Sequence, residues 1–267
     1  MIVRDIEMNV NIDGDGFPLI WGHGLTSSMA AEDETDMFHW ERMSEILKLV
    51  RYDARGHGES EASYKPEDYQ WKNLAQDMLA LADETGSERF IAGGQSMGCA
   101  TSIYAALDSP PRVKGLLLVT PPTVWETRAE QISMYGKMAW IARIMGGGML
   151  ARLITRNPER VLPPWLVQSF GEQVGSIGDV IGSMDGKTLS TIFRGAGLCD
   201  LPQPGELKNL DMPTLILAWE GDQSHPVETA EILDGVMPQS VLYVAKDIYD
   251  FKTWPRLMRE FVTGVLD

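Results

Sequence analysis

The sequence predicts an α/β protein built on a mainly parallel central sheet with helices on both faces and a helical insertion. Three observations carry this prediction. Short apolar runs that read as strands alternate with longer stretches of helical spacing, the pattern left by strands that crossover helices bury on both sides. Apolar runs such as PLIWGHG and RFIAGG stop on glycine, the punctuation of a strand that enters a loop. The length, 267 residues, allows one α/β domain with an insertion and burial of roughly 70 to 75% of the unfolded surface.

In chain order, residues 2–12 alternate as a strand, DGDG at 13–16 is a turn, and PLIWGHG at 18–24 follows, so a β-hairpin is expected to open the fold. FHWERMSEIL at 38–47 has helical spacing, LVRYDARG at 49–56 is a short strand into a loop, and residues 68–86 form a long amphipathic helix. RFIAGG is a strand that meets a helix at SMGCATSIYAALDSP, and VKGLLLVTPP at 113–122 is the next strand. From 124 to 205 the pattern changes. MYGKMAWIARIMGGGMLARLI and WLVQSFGEQVGSIGDVI are helical with no comparable strand between them, and LPQPGEL at 201–207 reads as the return hinge. Alternation resumes with strand 212–222, helix VETAEILDGV, strand 240–246 and helix TWPRLMREFVTGVL. The expected division is a core of residues 1–123 and 206–267 and a helical cap of residues 124–205.

Composition narrows the partners. A formal charge of −15 argues against nucleic acid and anionic membranes, which would be repelled, and admits a neutral or cationic small molecule more easily. Cys99 and Cys199 are too few and too far apart for a disulfide framework or a metal site, and read as reduced, buried small hydrophobes. The N-terminal stretch lacks a charged region ahead of an apolar run, and no window of about 18 apolar residues exists; a cytoplasmic protein is expected. GGG at 146–148 and GAG at 195–197 lack the remaining residues of phosphate or dinucleotide loops. Neither a cofactor nor a metal is expected.

The chemistry concentrates in GGQSMG at 93–98, which fits G-x-S-x-G with Gly94, Ser96 and Gly98 in the fixed places. A serine on a tight strand-to-helix turn is lifted clear of the backbone, and glycines around it remove side chains that would collide there. The helix that follows aims main-chain N–H groups at developing negative charge. WGHGLTSS at 21–28 ends an earlier strand, where its loop would offer a second such donor, and YDARGHGES at 52–60 follows the next strand.

Taken in order, HGL, D-x-R-G-H-G-x-S, G-Q-S-M-G and G-D-x-x-x-P resemble the α/β-hydrolase superfamily over essentially the whole chain outside the cap. The resemblance implies an α/β-hydrolase fold, a Ser-Asp-His triad, an oxyanion hole and a cap that shapes the substrate pocket. It makes Ser96 the nucleophile, the N–H groups of Leu25 and Met97 the oxyanion donors, and Asp222 the acid. Glu126, after the preceding strand, is the alternative acid. One element departs from the family: its histidine follows the last strand, where this chain reads AKDIYDFKTWP at 245–255, with Ile248 or Tyr249 in its place.

A serine hydroxyl is almost wholly protonated at neutral pH and needs a base, and four histidines are available. His23 reads as a prop for the oxyanion loop, His39 as part of a surface helix, and His57 as part of a turn. His225 lies in a loop at the carboxyl end of a strand, the edge where ligand sites of α/β sheets gather, and is the best available base. Asp222 and His225 stand three residues apart, so both fit one triad only if their loop turns tightly. The expected function is hydrolysis of a carboxylic ester or lactone of a small, mostly apolar molecule through an acyl-enzyme at Ser96. The alternative is a catalytically silent relative that binds a small ligand under the cap. Met134, Met138, Trp140, Met145, Met149, Trp125 and Trp165 are candidates to line an apolar pocket.

Overall fold

The apolar runs become strands in the computed structural model, which describes residues 1–158, 162–169 and 173–266. Ile2–Val3 (β1) and Ile6–Glu7 (β2) pair as a short antiparallel ribbon. A seven-stranded sheet follows from Val10–Asp13 (β3), Phe17–Gly22 (β4), Leu47–Tyr52 (β5), Phe90–Gln95 (β6), Val113–Val119 (β7), Thr214–Trp219 (β8) and Ser240–Ala245 (β9). Its order is β3-β5-β4-β6-β7-β8-β9, parallel throughout except for β3 against β5. All six residues of β8 are buried, as a continuous apolar run in a parallel sheet should be. At the sheet edge β9 alternates, leaving Val241 and Tyr243 exposed.

Helices Trp71–Glu84, Met97–Asp108 and Val227–Val236 bury their apolar residues against one face of the sheet. Trp40–Ser44 and Trp254–Leu266 cover the other. Between β7 and β8 no strand forms among the described residues. Helices Arg128–Met145, Gly147–Thr155, Pro164–Ser169, Gln173–Ser183 and Gly186–Ala196 occupy that segment. A small core of its own, including Ala142, Leu150, Ile181, Leu189 and Phe193, holds the segment together. Buried Arg128 ties its two ends: the guanidinium donates to the Thr123 carbonyl at 3.1 Å on one side, and to Ala196 at 2.6 Å and Cys199 at 2.8 Å on the other.

Two expectations about elements need correction, and a third falls partly outside the described residues. The chain does not open with a β3–β4 hairpin, because β5 inserts between them and β3 pairs with β5 from Val10↔Tyr52 to Asp13↔Leu49. With β4 held between β5 and β6, the outer edge of β5 is the position left for β3. The helix expected over 38–47 shortens to Trp40–Ser44. Phe38 and Trp40 instead pack edge-on to Trp21, with ring centroids 4.9 and 5.0 Å away, and Leu47 already begins β5. The helix expected over 165–181 corresponds to Pro164–Ser169 and Gln173–Ser183, and residues 170–172 of that reading lie outside the described residues.

Cys99 and Cys199 are free and buried. No helix among the described residues is long and apolar enough to cross a membrane. One buried ion network joins the N-terminal ribbon, the loop after β5 and the helix Trp71–Glu84. Arg55 donates to Asp77 at 3.0 and 3.1 Å and to Asp5 at 2.8 Å, while Arg4 reaches Asp77 at 2.8 Å. Arg55 and Asp77 are almost wholly buried, and removing Arg55 leaves the buried Asp77 charge with the exposed Arg4 as its one remaining cation in this network. Arg55→Ala is expected to lower the unfolding free energy by about 3 to 5 kcal/mol, measured by urea denaturation, and Arg55→Met with Asp77→Leu should recover most of that loss.

Candidate active site

Ser96 sits at the junction of β6 and the helix Met97–Asp108 with φ 51° and ψ −106°. A non-glycine residue there carries strain of about 1 to 3 kcal/mol, so its surroundings must enforce the turn. The Ser96 N–H donates to the Val119 carbonyl at 3.0 Å. A Cβ on Gly98 would lie 1.9 Å from the Gly22 carbonyl oxygen, and one on Gly94 would lie 2.5 Å from the same atom. Only glycines let β4, β6 and the helix approach this closely, which is why the G-x-S-x-G spacing is needed.

The loop after β4 runs beside the serine, since a Cβ on Gly24 would lie 3.7 Å from Ser96 Cβ. Neither the Leu25 N–H nor the Met97 N–H donates to another described residue. That leaves two main-chain donors in the segments that flank Ser96. His23 props this loop as expected: its Nδ1–H donates to the Gly24 carbonyl at 2.7 Å, and its Nε2 accepts from the Ala54 N–H at 2.9 Å. Asp53 completes the brace by accepting from the N–H groups of Met29 at 2.7 Å and Glu59 at 3.0 Å and from the Asn9 amide at 2.8 Å. The YDARGHGES motif is thus the scaffold of the HGL loop.

His57 is buried, packs edge-on to His23 at 5.1 Å, and donates from Nδ1 to the Arg55 carbonyl at 2.9 Å. Burial first, and then the neighbouring His23, push its pKa down to about 3; burial lowers that of His23 as well. Both rings are neutral spacers. His39 is exposed, and it precedes the Trp40–Ser44 helix instead of lying within it.

His225 is brought to the serine. Its Nε2 lies 2.8 Å from Ser96 Oγ, and its Nδ1 lies 2.6 Å from Asp222 Oδ2. The tight turn that this demands exists: Gly221 takes φ 92°, and the Ser224 N–H donates to Asp222 Oδ1 at 2.7 Å, folding the loop back over the carboxylate. Pro226 restricts the residue before it to extended conformations, which ends the turn at His225. The side chain of Asp222 is fully buried and also accepts from the Trp219 indole N–H at 3.0 Å. Burial pushes its pKa up, but the attraction and hydrogen bond of His225 and the N–H groups of Ser224 and Trp219 outweigh this and hold it below the usual carboxylate range.

Glu126, the alternative acid, is exposed in the turn Trp125–Thr127. The segment after β9 folds as a short helix, Ile248–Phe251, capped by Asp247, and Tyr249 points into solvent at 78% exposure. Two residues that the motifs did not single out take part in the site, the Trp219 indole and the Ser224 N–H. Trp219 was visible only as the last residue of an apolar strand.

A cavity of about 230 Å³ opens onto Ser96 and His225. Met134 and Met138 line it, with Leu25, Ile154, Ile181 and Phe193. Of the other pocket candidates, Trp140 and Met145 are exposed, Trp125 donates to the Pro202 carbonyl, Trp165 packs on Trp219, and Met149 is half-buried away from the lining. No group of three or more His, Cys, Asp or Glu among the described residues is arranged to hold a metal ion. The arrangement joins a hydroxyl, an imidazole and a buried carboxylate in series, the means by which a serine is made nucleophilic.

Comparison with known proteins bears on the fold. Residues 23–140 match the family model of the alpha/beta hydrolase fold. A proline iminopeptidase of Neisseria meningitidis is 29% identical over 132 residues, 47% of this chain and 41% of that protein. The chain thus spans about two fifths of that relative's length. The crystal structure of an enol-lactonase from Burkholderia xenovorans superposes with a TM-score of 0.84 at 20% identity, covering 98% of both chains. A thermophilic esterase from Thermogutta terrifontis superposes with a TM-score of 0.82 at 22% identity, over 97% of this chain and 94% of that one. The seven-stranded sheet, the serine turn between β6 and its helix, and the superposition on the enol-lactonase give this chain the alpha/beta hydrolase fold, whose family model matches its residues 23–140.

Proposed function

We propose that the protein is a serine hydrolase that cleaves a carboxylic ester or lactone of a small, mostly apolar molecule through an acyl-enzyme at Ser96. The observation that carries this reading is the unbroken chain from Ser96 Oγ through His225 to Asp222, with links of 2.8 and 2.6 Å. As Oγ attacks the carbonyl carbon, its proton passes to His225 Nε2, and the Asp222 carboxylate holds the imidazolium from the other side. The N–H groups of Leu25 and Met97 receive the oxyanion. The leaving alkoxide takes the proton from Nε2 as the tetrahedral intermediate collapses. Water then repeats the sequence at the acyl carbon and frees the acid. An enol-lactonase and an esterase are among the structural neighbours, in keeping with ester chemistry.

Residues 124–205 act in this reading as a cap. Met134, Met138, Ile154, Ile181 and Phe193 come from that segment, whereas Ser96 and His225 lie at the sheet edge, so the cavity is shared between the two. The silent-relative alternative rested on the missing histidine after β9, and the position of His225 supports the active reading. Buried free cysteines fit a cytoplasmic setting, and the charge of −15 fits a small-molecule partner without nucleic acid.

Ser96→Ala is expected to lower ester turnover by about 10⁴ or more and to abolish labelling by a fluorophosphonate probe, with an unchanged melting temperature; a wild-type protein that resists the probe would refute the reading. His225→Ala should cost about 10² to 10⁴ in kcat, read in single-turnover kinetics, while Glu126→Gln and Tyr249→Phe leave kcat within a few-fold. Asp222→Asn should cost up to about 10⁴ through the wrong tautomer of His225. Because folding lowers the Asp222 pKa, its stabilising contribution is complete above the unfolded value of about 3.9 and is lost as pH falls through the lower, folded value. The stability gap between wild type and Asp222→Asn, measured by denaturation from pH 7 to pH 3, should therefore narrow at the acid end. Replacing residues 125–203 with a short linker should leave a folded sheet with a changed or abolished substrate preference in an ester panel.

A further inference from the structure

The helix Met29–Thr35 begins directly after the loop that carries Leu25, with Ser28 as its cap. Its Glu32 is only 4% exposed and lines the same cavity as Ser96 and His225. A carboxylate has about four acceptor sites, yet the two oxygens of Glu32 share a single donor, the Trp21 indole N–H at 3.0 and 3.1 Å. The nearby cation does not complete it. Arg51 pairs with Asp33 at 2.5 Å, its guanidinium lies 5.2 Å over the Trp40 ring, and its Nε has no partner. Among the described residues no lysine or arginine lines the cavity, and Glu32 is the only carboxyl that does.

We propose that Glu32 selects the substrate by binding a primary ammonium group carried on its acyl chain, in the cavity into which Ser96 opens. This deepens the hydrolase reading and rests on it for the position of the scissile carbonyl. A buried acid in a cavity that Met134, Met138, Phe38 and Phe193 also line has to be protonated or meet a cation. An ammonium offers three N–H donors to the acceptor sites that Trp21 leaves open, and a chain of net charge −15 draws cations toward itself. A substrate carboxylate at the same place would find no cation among the described lining residues.

The proton balance gives this binding a signature. Burial raises the Glu32 pKa to about 8 against the lowering effects of the Trp21 N–H and of Arg51, with Asp33 and Asp53 adding to the rise; His225 and Tyr135 are the other titratable groups that line the cavity. Without a cation beside it Glu32 is therefore protonated at neutral pH, and an entering ammonium displaces that proton. Affinity for an amine that stays charged should rise with pH toward about 8 and level off above it.

The test compares p-nitrophenyl 6-aminohexanoate with p-nitrophenyl heptanoate, which differ in a terminal ammonium against a methyl group. Wild type should prefer the ammonium ester, and Glu32→Gln, which keeps the shape and the Trp21 bond, should lower the ratio of the two kcat/KM values at least about tenfold. A ratio that Glu32→Gln leaves unchanged, or a wild type without the preference, overturns the proposal. A binding arm separates it from the reading of Ser96. In the Ser96→Ala background, hexylammonium should bind at least about tenfold more tightly at pH 8.5 than at pH 6, and neither 1-hexanol nor the Glu32→Gln form should show this. Absence of that binding also overturns the proposal. Hexylammonium binding through Glu32 in a protein that hydrolyses neither ester would uphold Glu32 and remove the role of Ser96.

Discussion

The site depends on one buried charge. The side chain of Asp222 has no contact with solvent and would be costly there without partners, so the local structure is organised to supply them. The Trp219 indole comes from the end of β8, the Ser224 N–H from the turn, and the His225 ring from the end of the turn. Satisfying the carboxylate bends the loop within three residues, and the bend aims His225 Nε2 at Ser96. Trp219 is itself fixed, stacked on Trp254 of the terminal helix at 5.6 Å and 17°. The position of the imidazole is therefore set by the packing of Trp219 at the end of β8 against Trp254 of the C-terminal helix and Phe251 of the segment after β9.

The other half of the site is braced separately. Ser96 holds a strained turn because Gly22, Gly94 and Gly98 let three backbones meet, and the HGL loop holds its place because His23 and Asp53 bond across to it. Both braces use groups whose protonation state is already decided. His23 spends each ring nitrogen on a main-chain partner, and His57 is kept neutral by burial. The buried Arg55–Asp77 pair then ties the loop after β5, which carries Asp53 and His57, to the helix Trp71–Glu84.

Much of this was legible in the sequence because it is local. Strand and helix periods gave the alternation, and G-Q-S-M-G with its flanking strand and helix gave the serine turn, since the clash that each glycine avoids involves neighbours a few residues away or on the adjacent strand. The pairing of β3 was not legible. Alternation over residues 2–12 and a DGDG turn describe a hairpin equally well, and only the insertion of β5 decides otherwise. The proximity of Asp222 and His225 could be read, but their joint geometry depended on a Gly221 φ of 92° and a side-chain bond to the Ser224 N–H, which residue types alone do not specify. Glu32 gave no signal, because a glutamate in a short helix ordinarily faces water.

Carrying the carboxylate and the imidazole on one loop changes how the parts of the site are coupled. When the two come from different loops, each can drift with its own strand, and the hydrogen bond between them has to hold two elements together. Here Asp222 and His225 belong to one turn closed by Gly221 and Pro226, so their 2.6 Å bond is preserved by whatever preserves the turn. The relation left free to vary is that of the whole turn to Ser96, spanned by a single hydrogen bond of 2.8 Å. The Thr123 N–H donates to the Ser224 carbonyl at 3.3 Å, and Arg128 donates to the Thr123 carbonyl. A hydrogen-bonded path therefore runs from the helical segment that lines the cavity into the turn that holds the imidazole.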